Sequence, residues 1–224
     1  MNSPSRLIAC VISVSLLASS ASAAIMEIGD AGALPAAAYS TGTGPLDSIF
    51  GHLDPGHDVD LYAIEITNVD LFSATTVTLG TDVNLDTQLF LFKLDGSGVV
   101  ANDDDVLIQS TIPPGYVLTP GLYFLAIAEF PDKPVGASGA IFPFSFDTVT
   151  ATGTDPVTGW SPLGPDNEPL PGPLLGGNYQ INLQGAVGAQ IAQAVPEPSS
   201  LAVLAGLLLT PVGVRFVRRR EAAR

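Results

Sequence analysis

Residues 86–105, DTQLFLFKLDGSGVVANDDD, restrict the fold more than any other stretch of the chain. Leu89, Phe90, Leu91 and Phe92 form an apolar run that is too short for a helix and is flanked by turn formers, so it reads as a strand. Asp95-Gly96-Ser97-Gly98 supplies a tight turn, because glycine accepts positive φ and aspartate bonds its own backbone. Val99 and Val100 resume the strand. Asn102, Asp103, Asp104 and Asp105 then place four oxygen-bearing side chains in succession. The stretch predicts a hairpin in a β-sandwich core, followed by a loop able to attract a cation.

The same grammar recurs along the chain, where 23 glycines and 19 prolines favour short strands and turns over helices. Strands are expected at residues 25–28, 46–53, 58–66, 75–79, 122–130 and 177–184. In the third of these, Tyr62, Ile64 and Ile66 share one face, and Leu61, Ala63 and Glu65 the other. Residues 122–130, LYFLAIAEF, are apolar on both faces, as a central strand with both faces covered would be. Residues 177–184 alternate strictly, with Tyr179, Ile181 and Leu183 inward. Residues 131–176 are rich in Pro and Gly and lack sustained periodicity, although Phe142, Phe144 and Phe146 alternate over one strand-like piece. This segment is long for a connection in a compact domain. Three readings are open: an insertion folded over the sandwich, a loop pinned to the core by Trp160, the sole tryptophan, or a binding surface that uses Trp160.

Charge and the chain ends locate the domain. Between Ala24 and Val195 stand two basic and twenty acidic residues, a net of −18. Such a surface repels nucleic acid and attracts divalent cations. Residues 1–23 have the three parts of a secretory signal: a charged start at Arg6, an apolar stretch over 7–17, and the small-residue site Ala21-Ser22-Ala23, so the mature chain is expected to begin at Ala24. The implied partners are the Sec translocon and signal peptidase. Cys10, the only cysteine, falls inside this signal; its apolar run mostly follows it, which disfavours a lipoprotein signal. The mature chain would hold no thiol or disulfide and must depend on its core, or on bound metal, for stability.

At the other end, Val195-Pro196-Glu197-Pro198 precedes an uncharged apolar segment over 199–214, and Arg215, Arg218, Arg219, Arg220 and Arg224 follow. The apolar segment is slightly short of the ~20 residues that span a bilayer, and Phe216 and Val217 extend it if Arg215 snorkels. The arginines are expected to stay cytoplasmic. This tail resembles the PEP-CTERM sorting signal, with Pro196, Glu197 and Pro198 as its motif. The resemblance implies recognition and cleavage by an exosortase, a membrane-embedded cysteine transpeptidase of Gram-negative bacteria, and an association with exopolysaccharide and biofilm. A plain single-span anchor is the other reading. Both place the domain outside the cytoplasmic membrane.

The order Asp58-Val59-Asp60-Leu61-Tyr62, then 78–80 (TLG), 86–92 with Asp95-Gly96, 102–105, 120–125 and 177–181 resembles the bacterial pre-peptidase C-terminal domain. The match covers roughly residues 46–185 and is interrupted by 131–176. It implies an all-β, jelly-roll-like antiparallel sandwich with no catalytic role, an accessory to secreted enzymes or a surface module, with some relatives that bind calcium and some that bind matrix polymers. The expected organisation is a signal peptide at 1–23, a sandwich at 24–185 with an insertion at 131–176, a linker at 186–194, and a sorting signal with a transmembrane helix at 195–224.

Calcium is the cofactor these residues suggest, since it takes six to eight oxygen ligands. Asp103 and Asp105 would share a face of a strand, as would Asp58 and Asp60, and the family pattern brings the two stretches close. A solvated acidic loop is the alternative. His52 and His57 with Asp54 offer zinc no convincing further ligand. There is no Gly-x-Ser-x-Gly elbow, phosphate loop or dinucleotide fingerprint. The expectation is a non-enzymatic, exported surface or matrix protein with a structural or adhesive role. The alternatives are a carbohydrate-binding protein that uses Trp160 and a secreted hydrolase.

Overall fold

The computed structural model describes residues 23–79, 84–170 and 174–191. The expected signal helix, the PEP motif, the apolar tail and the arginine cluster lie outside the described residues, as does Ala21. Within them, no helix is long and apolar enough to cross a membrane.

The described chain is all-β. In order, its strands are β1 (Ala24–Met26), β2 (Tyr39–Ser40), β3 (Gly44–Pro45), β4 (Ser48–Leu53), β5 (Val59–Ile66), β6 (Ser73–Thr78), β7 (Thr87–Lys93), β8 (Gly98–Asn102), β9 (Thr111–Ile112), β10 (Gly121–Glu129), β11 (Asp132–Gly136), β12 (Gly139–Ala140), β13 (Val149–Thr150), β14 (Gly159–Pro162), β15 (Gly177–Gln184) and β16 (Ala186–Gly188). They form a five-stranded sheet in the order β1-β4-β15-β6-β9 and an eight-stranded path β13-β8-β7-β10-β5-β16-β3, with β2 added to β5. A small third sheet runs β12-β11-β14. Except for the parallel pairs β1–β4 and β2–β5, every ladder is antiparallel.

Period-two patterning explains how the two large sheets meet. Ile49, Ala74, Tyr179, Ile181 and Leu183 from the first sheet pack on Tyr62, Ile64, Leu89, Leu91, Leu125 and Ile127 from the second in one buried cluster. A sandwich-like core results. The odd-even partners on β5, β7 and β10 point the other way. Leu61, Ala63, Phe90, Phe92, Phe124 and Ala126 form a second buried cluster with Ile141, Phe142 and Val157. Residues 141–160 of the expected insertion are therefore folded over the outer face of the large sheet, and this cover matches a strand, LYFLAIAEF, that is apolar on both sides.

Two expectations need correction. Phe142, Phe144 and Phe146 are not on a strand. Phe142 enters the second core, while Phe144 and Phe146 pack edge-on to one another beside Phe130. The supposed linker also contributes β16, which pairs with β5 and β3. Gly185, at φ 71°, turns the chain from one sheet into the other, and a Cβ there would lie 2.5 Å from the Asn68 carbonyl. Ala189 then donates its N–H to Thr41 Oγ1 at 2.9 Å, and the compact unit extends to Ile191.

Candidate functional site

The four aspartates expected to hold calcium are divided between two places. Asp60 lies opposite Ile127, Ile127 opposite Leu89, and Leu89 opposite Asn102. Three strand spacings, about 14 Å, thus separate Asp60 from the residue that precedes Asp103.

Asp60 follows the inward parity of Tyr62 and Ile64 and is fully buried. Its Oδ2 accepts the Tyr179 hydroxyl at 2.5 Å, and the Tyr179 and Tyr62 hydroxyls are 2.6 Å apart. Burial, reinforced by Glu27, Asp58 and Asp30, pushes the Asp60 carboxyl up to about 9. Gly51 makes room for this arrangement, since a Cβ there would sit 2.3 Å from the Tyr179 hydroxyl and 2.6 Å from Glu27 Oε2. Glu27, Asp30 and Asp60 each offer an oxygen within 4.8 Å of the other two. Glu27 already accepts the backbone N–H of Ala31 at 2.6 Å and of His52 at 3.2 Å. Asp58 is half-buried and accepts the Asp54 N–H at 2.5 Å.

The second place is where the hairpin leaves the sheet. Strand β8 ends at Asn102, so the alternation expected to align Asp103 with Asp105 stops there. Asn102 is buried and clamps the departing loop: its Nδ2 donates to Asp104 O and to Thr148 Oγ1, both at 3.1 Å, and its Oδ1 accepts the Thr111 N–H at 2.6 Å. Ser110 Oγ bonds the carbonyls of Thr87 and Asp103. Held this way, Asp103 and Asp104 converge with Asp86, which directly precedes β7, and one carboxylate oxygen from each lies within 4.8 Å of the others. Asp105 stays outside and exposed, its N–H bonded to Gln109 O at 2.8 Å.

Lys133 on β11 is the cation of this second place. Its Nζ lies 3.4 Å from Asp103 Oδ2, donates to Gln88 Oε1 at 3.0 Å, and sits 4.9 Å from the centre of the Phe144 ring. Lysine and aspartate are both buried. Burial pushes Asp103 up to about 7 against the pull of Lys133, while Asp104 and Asp86 push it further. Burial followed by the charge of Asp104 brings Asp86 to about 6. Burial also lowers the Lys133 ammonium, which Asp103 opposes.

Asp86, Asp104 and Lys133 were not in the expected ligand set. One signal did mark Lys133: it is one of two basic residues in a stretch with twenty acids. The other expected residues lie elsewhere. Trp160 rests edge-on against Phe90 and Phe92, and its indole N–H donates to Ala33 O at 2.7 Å, so its polar edge is already used inside the fold. His57 meets Asp132 at 2.9 Å, whereas His52 meets Asn178 at 3.1 Å and Asp54 at 3.7 Å, so the two histidines have different partners. His52 and Asn178 also line a groove of about 400 Å³ together with Met26, Phe50 and Gly51. Ala24 opens β1 and pairs with Ser48, beside Ala23, whose carbonyl accepts the Asp47 N–H at 2.9 Å. Comparisons with protein-family models, curated proteins and solved structures returned no match.

Proposed function

We propose that this chain is an exported, non-enzymatic surface or matrix protein, cleaved by an exosortase at its Pro196-Glu197-Pro198 motif, with a structural or adhesive role in an exopolysaccharide layer. The observation that carries the reading is where the tail falls in the sequence, after the last residue of the folded unit. The compact unit closes at Ile191, and the tripartite sequence of Pro-Glu-Pro, apolar segment and arginines begins five residues later at Pro196. A cut at the motif would release the sandwich without touching any of its strands.

The finer reading of the fold, a jelly roll, draws support from strand order. When β4, β5, β6, β7, β8, β9, β10 and β15 are numbered in sequence as the eight strands at the centre of the two large sheets, one sheet runs first-eighth-third-sixth and the other second-seventh-fourth-fifth. Two interleaved Greek keys generate this order. A jelly roll keeps both chain ends of its core on the same sheet, here β4 beside β15, so signal and tail can be removed without opening it.

The test is to express the full chain in a Gram-negative host with and without an exosortase and to measure the mature mass. The reading expects loss of the apolar segment and the arginines only when the exosortase is present, and retention in Pro196→Ala and Glu197→Ala. A tail retained under both conditions would leave a plain membrane anchor.

A further inference from the structure

We propose that Asp86, Asp103 and Asp104 form a calcium site at the mouth of the β7–β8 hairpin. The acid cluster alone would not carry this, because exposed carboxylates often gather without a ligand. What sets it apart is unmet bonding. The Oδ1 atoms of Asp86, Asp103 and Asp104 are all shielded from solvent without a hydrogen-bond partner, and the Asp103 side chain is only 3% exposed. Buried oxygens normally find donors, and each one left unmet costs about 1–3 kcal/mol. Three such oxygens, on three acids whose carboxylates converge, point to a cation.

Charge points the same way. Lys133 is the basic group that meets these carboxylates, and it reaches Oδ2 of Asp103 alone. With all three ionised, three carboxylates against one ammonium leave two negative charges, which a divalent ion would close. The donor set is entirely carboxylate oxygen, hard in character, with no imidazole or thiolate among the three. Oxygens within 4.8 Å of one another are close enough for small side-chain shifts to bring all three to a single ion at the 2.3–2.6 Å typical of calcium. Magnesium, with shorter bonds and strict octahedral demands, suits three residues from two loop ends less well. Three protein ligands leave several positions to solvent, which places affinity in the range of extracellular calcium modules, about 0.1–1 mM. The Glu27–Asp30–Asp60 group shows the contrast: backbone N–H groups hold both oxygens of Glu27, a tyrosine hydroxyl holds Oδ2 of Asp60, Asp30 is exposed to water, and Asp60 Oδ1 is the one oxygen of the group that is buried without a partner.

This inference is independent of the sorting signal, so failure of either leaves the other standing. The experiment is thermal unfolding of the full chain in mild detergent with chelator, calcium chloride or magnesium chloride. About 10 mM calcium should raise Tm by roughly 3–6 °C, with a smaller rise in magnesium. Asp86→Asn and Asp104→Asn should each abolish the calcium response while raising Tm in chelator, because each removes a repelling charge. Asp104 is only half-buried, so its variant is expected to fold. No calcium-dependent rise in the native chain would overturn the site. So would a rise that persists in both variants, which would place the ion elsewhere.

Discussion

Two groups of acids in this protein meet the same difficulty in opposite ways. Around Asp60, the fold raises the carboxyl to about 9 and ties it to the Tyr179 hydroxyl, which in turn meets the Tyr62 hydroxyl inside the sandwich. Around Asp103, the fold supplies one buried lysine and leaves three carboxylate oxygens without a donor. The first arrangement leaves one buried oxygen, Asp60 Oδ1, without a partner on a carboxyl that holds a proton, while the second leaves three, one on each of three acids. Buried acids therefore do not by themselves mark a binding site; what distinguishes the two groups is how many buried oxygens the protein has left unmet.

The largest expected effect comes from breaking the second arrangement. Lys133→Ala leaves buried Asp103 without its ion partner, and equilibrium denaturation in chelator should show a loss of about 3–5 kcal/mol at neutral pH. Calcium should recover part of that loss. Breaking the first arrangement should cost less. Tyr179→Phe removes the hydroxyl between Asp60 and Tyr62 and should lower stability by about 1–3 kcal/mol, with no change in the calcium response.

The pH dependence of stability sharpens the comparison. The folded Asp60 carboxyl is raised from its usual 3.8 to about 9, so the folded state holds a proton there that the unfolded chain has released over that interval. The resulting stabilisation is fully present below about pH 4 and is lost as pH rises through about 9. In Asp60→Asn, which retains a polar group for Tyr179, stability from neutral pH to pH 9 should flatten relative to the native chain. A slope unchanged by the substitution would mean that Asp60 is ionised in the fold. The smallest effect belongs to Asp105. It is exposed and outside the cluster, so Asp105→Asn should shift stability by no more than about 0.5 kcal/mol and leave the calcium response intact.

Much of the strand pattern was legible in the sequence because it follows period-two burial. The strand at 177–184 coincides with β15, including its inward Tyr179, Ile181 and Leu183. The two-sided apolar character of β10 correctly implied a covered outer face, but nothing in the Pro- and Gly-rich composition of 131–176 announced the cover itself. Its strands are two to five residues long, too short to establish a period. The linker at 186–194 was misjudged for a similar reason: small residues carry little hydropathy signal, yet Gly185 alone redirects the chain into a new ladder. The acid cluster was legible as a location and misread as a geometry. Strand alternation pairs Asp103 with Asp105, but the strand ends at Asn102, and the loop clamped by that side chain turns Asp104 inward instead. Asp86 is sixteen residues upstream of Asn102 and reaches the site only through the β7–β8 pairing.

The most direct measurement is the carboxyl carbon NMR spectrum of the aspartates at neutral pH, recorded with chelator and then with calcium. The account predicts a protonated Asp60 signal that calcium does not move, and calcium-dependent shifts at Asp86, Asp103 and Asp104. An ionised Asp60, or calcium shifts confined to Asp60 and Asp30, would contradict it.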